Sequence, residues 1–230
     1  MNRQRLTAIM TGYSLILMAV IAGFSIGYAF PKFYDDNQLE ITHNNVSGNL
    51  QLYLSMLIGI VLIIILDILV SWTIYQFFKN DNKKIAIISF YLRIIYAAIF
   101  GVATYFLFAN LGQLSNNELL NNNFNSYETI WTLGLIVFGF HLLAVGILMK
   151  IHRNIPKVLW ILTIIAGISY VVVHILKLLL PQLSEFTTTL STVLTLPMAL
   201  GELGLAIWLI IKGGKPKSLK TQSRPLRANK

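Results

Sequence analysis

The chain contains no cysteine. Disulfides, thiolate metal sites and cysteine nucleophiles are therefore excluded, and nothing about the redox state of its compartment follows. Charge is scarce too. Only 12% of the 230 residues are Asp, Glu, Lys or Arg, against about 25% in a soluble domain. The common catalytic signatures are missing as well. There is no HExxH, no GxSxG, no phosphate-binding P-loop and no Rossmann glycine fingerprint. What fills the chain instead is apolar: 56% of residues are hydrophobic and the mean hydropathy is +0.68. The composition is that of a membrane protein.

A spanning helix needs about 20 predominantly apolar residues. Six segments qualify: Thr7–Phe30, Leu52–Phe78, Ile85–Ala109, Thr129–Lys150, Lys157–Leu180 and Thr189–Lys212. The fold class expected is an all-α bundle of six transmembrane helices. Residues 1–212 form one domain and residues 213–230 a basic, disordered tail. The first apolar run exceeds the 7–15 residues of a signal peptide core, so it reads as a retained helix. Its Gly23-Phe-Ser-Ile-Gly27 is a GxxxG, a pattern that allows close helix approach.

The net charge of +9 does not point to nucleic acid. Its basic residues lie in short loops and in the tail, beside apolar spans. With the N-terminus inside, 15 of the 18 fall on the inner side. Lysine and arginine collect on the cytoplasmic side of membrane proteins and attract anionic lipid headgroups there. The expectation is a multi-pass protein of the cell membrane with both termini in the cytoplasm. Its partners are membrane lipid and anionic headgroups at the tail; a protein partner is not indicated. The outer segments 31–51 and 110–128 read as longer polar loops, one carrying the sequon Asn45-Val-Ser47. Trp131 is expected at the outer interface and Trp72, Trp160 and Trp208 toward the inner one.

Ionisable groups within apolar spans are costly and default to functional-site candidates. Taking ~1.5 Å of rise per residue, Asp67, Arg93, His141 and Glu202 all lie about 12–16 Å above the inner ends of their helices. Four groups on four helices share a layer. Facing lipid, each would cost ~2.5–3.5 kcal/mol; facing one another, they can neutralise. Arg93 is expected to bridge one or both carboxylates, with His141, if protonated, supplying a second positive charge. On the fifth span Thr163, Gly167, Tyr170, His174 and Lys177 recur at helical spacing, which reads as a polar track or as ordinary interhelical hydrogen bonding. His141 and His174 differ too much in depth to share an ion, so no metal and no cofactor is expected. Ser71 shares a face with Asp67, and a serine there bonds back to its own helix. Pro197 should kink the last span just above Glu202.

Taken in order, F-G-x-H-L-L from Phe138, I-P-x-x-L from Ile155, A-G-x-x-Y from Ala166 and G-E-x-x-x-x-x-W-L-x-x-K-G from Gly201 form a set. With Leu66-Asp67-Ile-Leu and Phe90–Val102 they resemble the bacterial and archaeal integral-membrane family known only as domain of unknown function 4386. The resemblance covers nearly the whole chain. It implies six transmembrane helices and no assigned activity, and it maps onto Asp67, Arg93, His141, Pro156, Gly167, Tyr170, Glu202 and Trp208. Where this chain has His174, the family often has an acidic residue.

Three functions fit. The leading one is a buried site of Asp67, Arg93, His141, Tyr170 and Glu202 for a small polar or lipid headgroup ligand, with proton coupling; His174 and Ser71 are secondary candidates. The second is an intramembrane enzyme acting on lipid, with Asp67, His141 or Glu202 as general acid or base. The third is a structural or partner-binding protein whose polar cluster only clamps helices. All three require that the four groups meet. Arg93 and Glu202 on opposite sides of the bundle would refute the argument from depth.

Overall fold

The computed structural model describes residues 2–34, 45–114, 116–152 and 154–215. The expectation for the tail falls outside the described residues beyond Lys215, and the side chain of Pro197, on which the expected kink rests, falls outside them too. Within them the chain is helical, with six helices long and apolar enough to cross a membrane. They are α1 (Arg3–Ala22), α2 (Leu50–Phe78), α3 (Lys83–Ala109), α4 (Asn117–Ile151), α5 (Lys157–Leu179) and α6 (Ser184–Ile211). Only helices or closed barrels satisfy every backbone hydrogen bond in lipid, and long apolar runs of this length give the former. Asparagines set three of the starts. The side chains of Asn2, Asn82 and Asn116 accept the N–H groups of Gln4, Ile85 and Leu119 at 3.2, 3.1 and 3.1 Å, filling donors that a helix start leaves open.

Each helix packs against its neighbours in sequence, and α6 returns to α1. The result is a closed ring. At one end of it lie Arg3, Arg5, Lys79, Lys83, Lys150, Lys157 and Lys212, the basic end. Here the ring is fastened by Arg5. Its guanidinium donates to the carbonyls of Leu209, Ile210 and Gly213 at 3.0, 2.5 and 2.8 Å. The Ile210 and Gly213 carbonyls lie at and just past the end of the helix, where acceptors go unused by its own ladder, and a cation suits the negative end of the helix dipole. Gly214, at φ +65°, lets the chain turn directly against Arg5; a Cβ there would meet the Arg5 nitrogen at 2.7 Å.

At the far end Phe30, Phe33, Tyr34, Tyr53, Phe124 and Tyr127 form an aromatic plug. Tyr53 donates to the Leu107 carbonyl at 2.7 Å and accepts from Asn110 at 3.2 Å. This plug corrects the reading of 110–128 as a polar loop. Residues from Asn117 onward are the first turns of α4, because Leu120, Phe124 and Tyr127 recur on one face among the asparagines and are fully buried. Trp131 lies within α4, stacked on Phe100 and Tyr127. Trp208 is likewise buried, edge-on to Phe77 and His152.

The GxxxG reading also fails. A Cβ at Gly23 would meet nothing within 4 Å, and one at Gly27 only its own helix. Residues Gly23–Ala29 are instead π-helical, with Phe30 N–H bonded to the Ser25 carbonyl. The close crossings lie elsewhere. Gly139 of α4 and Gly167 of α5 face each other, each placing a would-be Cβ 2.8 Å from the other's carbonyl oxygen. Gly139→Ala should cost about 1–3 kcal/mol by overpacking. Gly101→Ala, where a Cβ meets open space, should cost nothing. Thermal unfolding of the two purified variants checks both.

Candidate functional site

The inward face of α3 reads Ala86, Ser89, Arg93, Tyr96, Phe100, a helical stripe of buried positions. It carries the largest fully buried side chain in the described residues, Arg93. Arg93 Nε donates to Asp67 Oδ1 of α2 at 2.8 Å, and Nη2 lies 2.8 Å from the same oxygen. Nη1 donates to Glu202 Oε1 of α6 at 3.2 Å and to His141 Nε2 of α4 at 3.1 Å. Nη2 also points at Met18 Sδ of α1, 3.9 Å away. The guanidinium carbon sits 5.3 Å from the centre of the Phe138 ring. One side chain thus contacts four other helices. The four groups placed in one layer by depth do meet.

His141 plays a different part from the one expected. Its Nδ1 lies 2.9 Å from the Ser89 carbonyl and 3.1 Å from the Ser89 hydroxyl. A carbonyl can only accept and arginine can only donate. These partners assign the hydrogen to Nδ1 and leave Nε2 as acceptor, which is the neutral imidazole. His141 is an acceptor for Arg93 and not a second cation. The cluster therefore holds two carboxyl groups against one guanidinium.

That imbalance has a visible counterpart. Asp67 Oδ2 is buried and has no hydrogen-bond partner among the described residues. A buried acceptor without a partner costs about 1–3 kcal/mol, and more when charged. Asp67 and Glu202 both border a cavity of about 190 Å³. Tyr96, Trp131, Phe138 and Tyr170 supply its aromatic wall, and Leu15, Met18, Ala19 and Ala22 of α1 an apolar one. Asp67's side chain is 1% exposed and Glu202's 26%, so Glu202 is the carboxylate that faces the opening.

The remaining candidates divide. Tyr170 lines the cavity, edge-on to Phe138 at 5.2 Å, and makes no hydrogen bond to the four. His174 stacks on Tyr170, with Nδ1 2.8 Å from the Tyr170 carbonyl of its own helix. Ser71 donates to the Ile68 carbonyl at 2.7 Å. Neither joins the cluster. On α5, Thr163 bonds to the Leu159 and Gly201 carbonyls at 2.9 and 3.3 Å and Lys177 pairs with Glu128 at 2.5 Å. The first is a bond within α5 and the other two are separate interhelical links; together they do not make a continuous track. Ser89, Tyr96 and Met18 were not singled out from sequence. Ser89 and Tyr96 stand four before and three after Arg93, the spacing that puts side chains on one helix face.

Removing Arg93 strands two carboxyls and the His141 acceptor. Arg93→Ala should cost about 3–5 kcal/mol, the scale for breaking a buried pair. The triple variant Arg93→Met, Asp67→Leu, Glu202→Leu should recover most of it, because uncharged residues of similar volume need no partners. Thermal unfolding in detergent measures both.

The sequence pattern of the family described as Domain of unknown function (DUF4386) matches residues 10–213. An uncharacterized protein of Archaeoglobus fulgidus is 30% identical over 167 residues, covering 73% of this chain and 89% of that protein. No solved structure matches the chain. Family pattern, archaeal relative and six-helix ring agree: this multi-pass membrane protein belongs to the domain-of-unknown-function 4386 family.

Proposed function

We propose that the central cavity binds a small polar or headgroup ligand, with Asp67 and Glu202 as the recognising groups and proton exchange accompanying occupancy. The observation that carries this reading is Asp67 Oδ2, a buried carboxylate oxygen without a partner at the wall of a cavity that also exposes Glu202. A clamp designed only to hold helices would gain from satisfying every polar atom. Here one guanidinium is shared between two carboxyls, and the surplus is met by a proton or by a ligand that donates hydrogen bonds. Arg93 and His141 are the positioning residues: they hold both carboxyls at the cavity. Aromatic walls with a few convergent polar groups are the usual make-up of a small-molecule site.

The membrane is read as the cell membrane with the basic end in the cytoplasm, from the collection of lysine and arginine there. The basic tail then lies against anionic headgroups.

Glu202→Gln separates this function from a clamp. Its carboxylate is partly exposed and its contact to Arg93 is the long one, so the substitution should leave the unfolding temperature within a few degrees of wild type. Native mass spectrometry should find a small molecule retained by wild type and lost from Glu202→Gln. A variant that loses stability while wild type retains nothing identifies a clamp. Retained lipid that wild type alone converts identifies an enzyme.

A further inference from the structure

The ring does not close along its whole length. Every close approach between α1 and α6 lies at the basic end. Arg5 holds Leu209, Ile210 and Gly213, Ala8 abuts Gly213, and Gly12 abuts Ala206 and Ile210. One level farther along stand Met18 and Glu202, both on the Arg93 guanidinium. Beyond that level Ala19 and Ala22 of α1, Ile26 of the π-helical segment and Met198 and Ala199 of α6 line the cavity, and Ala19 and Ala199 are exposed as well. Most described positions in the far half of α6 are exposed, Leu196 by 66% and Val193 by 67%. The same stretch of α1 passes into the π-helical segment Gly23–Ala29, a distortion that often accompanies functional sites. The opening is therefore sideways, toward lipid, and its walls are apolar. Glu202 stands at its inner end.

We infer that this gap admits an amphiphile sideways from the bilayer, with an ammonium headgroup seated at Glu202 and Asp67 and its chain lying between α1 and α6. The inference rests on the central cavity being a ligand site and names the ligand's class. Three features select the charge. The cluster carries two carboxyl groups against one guanidinium. The guanidinium is fully enclosed, so no cation is offered to an anionic head. The rings of Tyr96, Trp131, Phe138 and Tyr170 that line the cavity suit a cation at their faces. The apolar walls suit the chain, which needs no polar partner there. An ammonium on an apolar body can come from an aminophospholipid or from a free long-chain amine.

The test uses the full-length protein in an uncharged detergent, with dodecylamine, butylamine and dodecanoate as probes read by thermal shift and native mass spectrometry. Dodecylamine should raise the unfolding midpoint and bind at least tenfold more tightly than butylamine, and dodecanoate should do neither. Glu202→Gln should lose that gain. So should Ala199→Trp, which fills the gap away from Arg93, with circular dichroism confirming that both variants fold. Equal binding of the two amines would overturn sideways entry while leaving a polar-ligand site standing. Preference for dodecanoate would overturn the charge assignment. Binding of none of the three, with nothing co-purified, would overturn both readings. In nanodiscs, retention of phosphatidylethanolamine over phosphatidylcholine would mark the lipid as the source; retention of dodecylamine alone would mark a free amine.

Discussion

The bundle is arranged around one guanidinium. Arg93 is wholly enclosed, and its three nitrogens meet an aspartate, a glutamate, an imidazole acceptor and a thioether on four different helices. Between helices in lipid there is little hydrophobic force, because the surrounding chains are as apolar as leucine. Directional contacts therefore decide which faces turn inward. A fixed, planar cation with a rigid fork of donors is suited to that task in a way that a flexible lysine is not. Because Arg93 cannot shed its charge, its neighbours must adapt to it. His141 stays neutral, turned by the Ser89 carbonyl so that its free nitrogen accepts.

Other constraints supply what Arg93 cannot. Glycine pairs such as Gly139 and Gly167 let α4 and α5 touch backbone to backbone. The aromatic plug closes the far end over α2 to α4, and Arg5 fastens the two chain ends at the basic end. These devices leave one seam weak. Away from the basic end α1 and α6 contribute apolar residues, Ala19, Ala22, Met198 and Ala199, to the cavity wall, and there the cavity reaches outward. Rigidity and opening thus come from the same distribution of contacts.

Depth and composition were legible in the sequence; facing and pairing were less so. Counting residues from the inner ends placed Asp67, Arg93, His141 and Glu202 in one layer, and the cost of charge in lipid was enough to turn them toward each other. Charge state was not readable, because the role of His141 depends on Ser89, whose position four residues before Arg93 carries no polarity signal of its own. The asparagine-rich 117–128 stretch looked like a loop by average polarity, yet its buried leucine, phenylalanine and tyrosine keep helical spacing. Trp131, read from sequence only as an interface marker, is also part of the cavity wall. The GxxxG of α1 misled for the opposite reason. A pattern of small residues permits close approach but does not supply a partner, and Gly23 and Gly27 have none nearby.

The order in which the chain is made gives the Asp67–Arg93 pair a second significance. These residues sit 26 apart on consecutive helices, so the hairpin of α2 and α3 carries its own counter-charge for the buried arginine. Glu202 follows Arg93 by 109 residues. During synthesis Arg93 is thus already matched long before the last helix emerges. The late-arriving carboxylate completes an arrangement that is already electrically balanced, and it stays the one acid that insertion itself does not require.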